Sequence, residues 1–518
     1  MRRSKSLLLI IAILLIFGSM NSTPTAVRLA VPRAHPLLLS IAAEKPDQTV
    51  AVIVQKSGKG SDLANLVTRL GGKITKDLRI INAFAAEMPA EAALTLSRNP
   101  GVRWVSLDAT VEKADGISAD TAPSPSTGVN SSVTASNSSY TFLRNYYPFT
   151  TRAVFAWAKG LTGAGVGVVV IDSGITQDED LTITEALNFN SNASSAEDDY
   201  GHGTHISGII AGNGNLSDGL YRGLAPNVNL ISLRVNDDTG MALESDVVAA
   251  LQWVYDNKAQ YNVRVVNISL NSTVEQSYNT SPLDAACEIL WFNGVVVVVS
   301  AGNSYSGMEY STINAAPAND PFVITVGASD EKGTLIIYDD TVATFSAYGT
   351  TSDGFVKPDI IAPGKNIISL LAETSPWRDM YPERVVHTYY FRASGTSMAA
   401  PVVTAGVALL LQDEPELNPD QVKYRLIHTG GRINGSDGVY PYLNIFKAVE
   451  GTTIETFNTG TSISQLLFTG EDPVDWDSVG WNSVGWNSVG WNSVGWNSVG
   501  WNSVGWNSVG WNSMYWGP

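Results

Sequence analysis

The chain has a single cysteine, Cys287, in 518 residues. No intrachain disulfide can form, so outside the cell its stability must come from packing and from bound ions. Charge is sparse, at 16% of residues, and histidine is rarer still, at 5. Basic residues are in deficit: 32 Lys+Arg stand against 49 Asp+Glu, a net charge of −17. That argues against nucleic acid or an anionic membrane as a partner, since either would be repelled. Long apolar runs are also scarce. Past the amino terminus, no stretch reads as long and apolar enough to cross a bilayer.

The amino terminus itself, "MRRSKSLLLIIAILLIFGSMNS", places Arg2, Arg3 and Lys5 before an apolar run from Leu7 to Phe17. Charge, then a short apolar core, then polar residues is the pattern of a secretory signal, here residues 1–25. No clean A-x-A site follows, so an uncleaved anchor is the alternative. The expected location is outside the cell, secreted or held at the surface. Cys287 sits in "LDAACEILWF" and reads as a small buried residue rather than a reactive thiol.

The length allows roughly two to four domains. Residues 35–113 form a first unit. "TVAVIV" reads as a strand, and Leu63, Leu66, Val67 and Leu70 follow at helical spacing. "RIINAFAAEM" and "VRWVSL" read as further strands, with a short helix from Pro89 to about Arg98 between them. This order fits a small α+β, ferredoxin-like module. Residues 114–144, rich in Ser, Thr, Pro and Gly, read as a linker open to proteolysis.

From 145 to 450 the pattern changes. "VGVVVID", "VRVVNISL", "GVVVVVSAGN" and "FVITVGA" are nearly unbroken β-branched runs. Strands buried on both faces read this way, which predicts an α/β domain with a mostly parallel sheet covered by helices at Glu244–Ala259 and Pro282–Asn293. In such sheets the site lies at the carboxyl ends of the strands. Residues 451–470 read as a second linker. In 471–518, "WNSVG" repeats and Trp recurs every five residues from Trp476 to Trp516. That period fits neither a helix face nor a strand face. The tail reads either as a disordered low-complexity segment or as a row of rings that binds cell-surface or carbohydrate material.

The informative polar residues fall at strand ends and helix starts. "VGVVVI" ends in Asp172; "YGHGTHISG" holds His202 and His205; "VVVVVSAGNS" ends at Asn303; "SGTSMAAPVV" holds Ser394 and Ser397 ahead of an apolar run. Each has a plain structural explanation: Ser caps a helix, Asp and Asn close turns, and two histidines three apart hold a metal or pack inside. No further His or Cys accompanies the histidine pair, and His205 reads as a structural, hydrogen-bonded residue. Together they also make an acyl-transfer set: Ser397 as nucleophile, His202 as base, Asp172 to orient it, and Asn303 with the Ser397 N–H as oxyanion donors.

"VVVIDSGI", "GHGTHISG", "SAGNS" and "SGTSMAAP", in this order, closely resemble the four signature regions of the subtilisin-like serine proteases, the subtilases. "GLAPNVNLISLRV" and "KPDIIAPG" are similar to further family segments. The resemblance implies a three-layer α/β domain and a serine endopeptidase whose partners are polypeptide substrates. It assigns the roles just given to Asp172, His202, Ser397 and Asn303, with no cofactor for catalysis. It also implies that a substrate strand pairs with Ser269–Asn271 and Thr239–Glu244, and that Ser300, Ala301 and Gly302 wall the pocket. Leu270 would line it for apolar side chains, while Asn271 stands where the family pattern has glycine and narrows the mouth. Many subtilases hold structural Ca²⁺; Asp180 and the loop Asn213–Gly219 occupy similar places, with an ordinary polar loop as the alternative. The 35–113 unit resembles the inhibitor-type propeptide of secreted subtilases, which implies self-cleavage between about Val111 and Tyr140. A permanent N-terminal domain is the alternative there. For the whole chain, the alternative from another class is an inactive scaffold that displays the tail.

Overall fold

The computed structural model describes residues 32–58, 63–113, 144–303, 313–435 and 438–467. The expected signal segment, nearly all of the expected 114–144 linker and the Trp-repeat tail lie outside the described residues.

The N-terminal module runs α1 (Pro36–Glu44), β1 (Thr49–Lys56), α2 (Leu63–Arg69), β2 (Lys73–Leu78), β3 (Ala83–Pro89), α3 (Ala90–Ser97), β4 (Val102–Leu107) and β5 (Thr110–Lys113). The first four strands form an antiparallel sheet in the order β2-β3-β1-β4. Alternation along β1 sorts its two faces. Val50, Val52 and Val54 join Leu38, Leu63, Val67 and Leu96 of the module's own helices. Ile53 points the other way and, with Ala83 and Ala85 of β3, enters the large core of the following domain. "RIINAFAAEM" is not one strand. Arg79–Ile81 is a 3₁₀ turn, Asn82 takes φ 49°, and the strand begins at Ala83. The charged partner β2, "KITKDL", went unread because an exposed strand at a sheet edge carries little apolar alternation.

The second domain is built on β6 (Gly167–Asp172), β7 (Ile183–Asn188), α4 (His202–Ala211), β8 (Asn229–Arg234), β9 (Ala242–Leu243), α5 (Glu244–Tyr261), β10 (Val263–Ile268), β11 (Leu270–Ser272), α6 (Pro282–Phe292), β12 (Val296–Ser300), β13 (Ile324–Asp330) and α7 (Thr396–Asp413). Its main sheet of ten strands runs Gly431–Asn434, Val439–Tyr442, Ile360–Pro363, β13, β12, β10, β6, β8, β7, with Thr341–Val342 beside β13. The pairs from Val439–Tyr442 through to β7 are parallel. Every residue of β6 and of β12 is buried, so both faces are covered. The covering comes from two packed helix pairs, α4 with α7 and α5 with α6. Each buried Val, Leu or Ile contributes about 1.5–3 kcal/mol. This is the subtilisin-like layering of helix, sheet and helix.

Helix α7 spans 18 residues and is apolar enough to cross a membrane, but it is buried inside the fold. Cys287 is buried in α6, and burial pushes its thiol well above the usual range. The expected 451–470 linker is not a loose connector over its described part. Asn458, Ser464, Leu466 and Leu467 are buried. Tyr278 Oη donates to Ser462 O at 2.9 Å, the Ser464 N–H donates to Glu288, and Gln55 Nε2 donates to Leu466 O at 2.5 Å. A composition rich in Thr, Ser and Gly hid two leucines and an isoleucine that find a core to enter.

Candidate active site

Parallel strands β6 and β8 lie side by side, and Asp172 stands at the carboxyl end of β6, a central strand of the sheet. Helix α4 begins beside that end with His202 as its first residue. The approach is so close that a Cβ on Gly203 would fall 2.1 Å from the Gly174 carbonyl oxygen. His202 Nδ1 and Asp172 Oδ1 are 2.7 Å apart, and both side chains are 1% exposed. The Ser173 N–H donates to the same carboxylate oxygen at 2.7 Å. An imidazole held this way carries its proton on Nδ1 and presents Nε2 as the base.

A second buried carboxylate, Asp198, ties this corner together. Its Oδ1 accepts from Ser173 Oγ at 2.8 Å and the Gly201 N–H at 2.6 Å. Its Oδ2 accepts from the Thr204 N–H at 2.8 Å and Thr204 Oγ1 at 2.6 Å. An acid at a helix N-terminus satisfies donors that the helix cannot. Burial raises its carboxyl to about 6 against the pull of those donors. The imidazole also meets a ring. Trp377, 1% exposed, stands near-perpendicular to His202 with centroids 6.1 Å apart and contacts His205 at the same distance. Its segment is latched to the α4 start: Ser375 Oγ donates to Tyr200 O at 2.7 Å, and Thr374 Oγ1 to Asp198 O at 3.2 Å. The sequence reading missed Asp198 and Trp377. An acid four residues before His202 was a signal for the first; "SPWRDM" held none for the second.

Ser397 lies in the first turn of α7, which packs against α4. It does not cap the helix. The N-cap is Gly395, with no side-chain bond, and Ser394 Oγ accepts instead from the Asn366 N–H at 3.0 Å. The Ser397 hydroxyl donates to Ser269 O at 3.2 Å, and Ser269 Oγ returns a bond to Ser397 O at 3.1 Å. Asn303 is brought to the same turn: its Oδ1 accepts from the Thr396 N–H and from Thr396 Oγ1, both at 3.1 Å. That leaves Asn303 Nδ2 buried with no hydrogen-bond partner among the described residues. Buried amide donors are rarely left so. Beside the Ser397 N–H in the first turn of a helix, such a donor can serve a negative oxygen.

His205 faces inward. Its Nε2 meets Phe391 O at 3.0 Å, and burial drives its pKa down to about 3. Among the described residues no group of three or more His, Cys, Asp or Glu side chains lies together as a metal site. Asp180 Oδ1 accepts from the Leu216 N–H at 2.8 Å and its Oδ2 from Tyr390 Oη.

The expected cleft segments are occupied. β5 of the N-terminal module lies between β9 and β11 in a three-stranded antiparallel sheet. Val111, fully buried, faces Ser272; Glu112 faces Asn271; Lys113 faces Leu270. Ser269 and Leu270 are buried. Asn271 Nδ2 reaches Ser300 O at 3.2 Å, and Ala301 and Gly302 continue that wall, so the Asn271 side chain bridges the two sides. Just ahead of β5, Asp108 accepts the Ser245 N–H at 2.8 Å and Ala109 O accepts the Glu244 N–H at 2.9 Å. The module therefore caps helix α5 from outside the domain. Lys76 pairs with Asp246, and Arg79 with Asp256 at 3.0 Å.

Comparison with known proteins identifies the family and the fold. The profile of the Subtilase family matches residues 163–449. Serine protease AprX of Bacillus subtilis (strain 168) is 40% identical over 274 residues, 51% of this chain and 60% of that protein. Subtilisin NAT of Bacillus subtilis subsp. natto is 29% identical over 374 residues, 72% of this chain and 81% of that protein. The crystal structure of fervidolysin from Fervidobacterium pennivorans, described as a keratinolytic enzyme related to subtilisin, aligns with a TM-score of 0.58 at 24% identity. That alignment covers 79% of this chain and 62% of fervidolysin and shows a shared fold. The chain belongs to the subtilase family.

Proposed function

We propose that the chain is a secreted serine endopeptidase, made with its cleft blocked by its own N-terminal module and freed by cutting the chain beyond β5. The observation that carries this reading is the 2.7 Å pairing of Asp172 with His202, next to the helix that holds Ser397 in its first turn. In the proposed cycle, Ser397 Oγ attacks the substrate carbonyl carbon while His202 takes its proton. His202 then gives that proton to the leaving amine. Asp172 holds the imidazole and stabilises it while charged. Asn303 Nδ2 and the Ser397 N–H donate to the oxyanion. Water, deprotonated by His202, attacks the acyl carbon, and His202 returns the proton to Ser397 Oγ as the acyl–oxygen bond breaks.

The buried Leu270 supports an apolar side chain before the cleaved bond, with Asn271 limiting its size. The antiparallel seating of β5 between β9 and β11 supports the inhibitory role of residues 35–113 as a propeptide. Secretion rests on the amino-terminal charge and apolar pattern. A binding role for the tail at cell-surface or carbohydrate material rests on its spaced tryptophans, and binding of an isolated 471–518 peptide to such material tests it. The test of the main reading is hydrolysis of casein and quenched peptides by purified protein. Wild type cleaves, and Ser397→Ala and His202→Ala do not. Equal activity in Ser397→Ala contradicts it.

A further inference from the structure

Lys113 ends β5, and its ammonium has a built seat. Nζ lies 3.3 Å from the centroid of the Tyr200 ring. Tyr200 stands two residues before His202 and is backed by Trp377, edge-on, with centroids 5.8 Å apart. The opposite wall is Gly240. A Cβ there would meet Lys113 Nζ at 2.9 Å and the Tyr200 ring at 3.1 Å. Gly240 also takes φ +87°, so the turn that carries it resists any side chain that would fill the slot.

The strand register fixes which substrate position this seat serves. Lys113 is opposite Leu270, and the strands are antiparallel. The carbonyl that accepts the Ser397 hydroxyl belongs to Ser269, one residue before Leu270. In this register a substrate residue opposite Ser269 is the one that follows the residue opposite Leu270. Lys113 occupies the second residue on the amino side of the bond to be cut.

We infer that Tyr200 and Gly240 form a subsite that selects a basic side chain, Lys or Arg, at the second position before the scissile bond. This deepens the endopeptidase reading and rests on it. A cation over an aromatic face is held by the ring's negative π-surface, and the slot leaves the long aliphatic stem packed against the same walls. The protein's charge of −17 draws basic peptides in the same sense. The substrate class is then polypeptides with Lys or Arg at this position, the processing segment "TVEKAD" (Thr110–Asp115) being the chain's own instance.

The test uses the mature enzyme and quenched peptides of the form Thr-Val-Glu-X-Ala-Asp, with X as Lys, Arg, norleucine or Glu. Lys and Arg peptides should exceed norleucine by about 2- to 30-fold in kcat/KM, the range of a cation–π contact, with Glu lowest. Tyr200→Leu should collapse the Lys-to-norleucine ratio to near one, and Tyr200→Phe should keep it. Because the readout is a ratio within one protein, partial misfolding does not mimic it. Equal cleavage of Lys and norleucine peptides by wild type, or a ratio that survives Tyr200→Leu, overturns the inference. Failure to cleave any peptide overturns the endopeptidase reading instead. The seat is then read without catalysis, by hydrogen exchange of the 110–113 amides in full-length Ser397→Ala. There Lys113→Leu should speed exchange about 2- to 30-fold. It should have no further effect once Tyr200 is Leu, and additive effects overturn the seat.

Discussion

The Ser397 hydroxyl donates to the carbonyl of Ser269, and the Ser269 hydroxyl donates back to the carbonyl of Ser397. This reciprocal pair pins the start of α7 to the end of the β10 strand run. It also means that Ser397 must turn away from Ser269 before it can attack. Asn303, the proposed oxyanion donor, is oriented through its Oδ1 by Thr396, with Nδ2 lacking a partner among the described residues. Asn303→Ala should therefore lower kcat by about 10²–10³-fold, the scale known for the equivalent loss in subtilisin, with KM little changed. Steady-state kinetics on a quenched peptide measures this. A change in KM alone would show that Asn303 only binds.

Asp198 gathers Ser173, Gly201 and Thr204 around the α4 start. Asp198→Ala would strand those donors in a buried site. Each unpaired donor costs about 1–3 kcal/mol, so a large drop in melting temperature is expected. Asp198→Asn, which keeps part of the acceptor set, should fall between. Thermal unfolding of both variants in the Ser397→Ala background, free of self-digestion, decides it. Unchanged melting would show that the corner relaxes without loss.

Trp377 should act on both stability and turnover. Trp377→Ala empties a buried site that packs on His202, His205 and Phe391, at about 3–5 kcal/mol. A positioning role predicts a fall in kcat and a shifted acid limb of the pH profile, both recovered in Trp377→Phe. A variant that is merely less stable would show neither once assayed below its melting point.

The docked module should loosen as pH rises. Burial lifts Asp108 to about 6, helped by the charge of Asp246. Burial lifts Glu244 to about 8, helped by Asp108. Carboxyls raised above their ordinary values take up protons on burial. The docked state is thus favoured fully below about pH 4, and that favour is lost as pH rises through about 6 and then about 8. In Ser397→Ala, protease susceptibility of the module should rise from pH 5 to 9. Glu244→Gln should flatten the upper part and Asp108→Asn the lower. Susceptibility that falls with pH contradicts the assignment.

Much of this site was legible because its residues sit at punctuation marks. A buried strand that stops at Asp172, a glycine-rich helix start at His202 and a serine ahead of an apolar helix are all local patterns. The β-branched runs announced the parallel sheet for the same reason: a strand buried on both faces needs no alternation. What stayed hidden depends on chain segments far apart in sequence. Tyr200 meets Lys113 and Trp377 across large separations, and no local period records that. The packed stem at 458–467 reads as linker because residues distant in sequence, among them Gln55, Tyr278 and Glu288, give its backbone partners.

In the proposed function Ser397 is a nucleophile that frees its own enzyme. The intact mass of purified wild type beside Ser397→Ala tests this. Wild type should lose the N-terminal module, about the first 110–140 residues on the spacing of its linker, while the mutant keeps it. If both proteins stay full length, or both are cut at the same place, Ser397 does not perform the cleavage and the account fails.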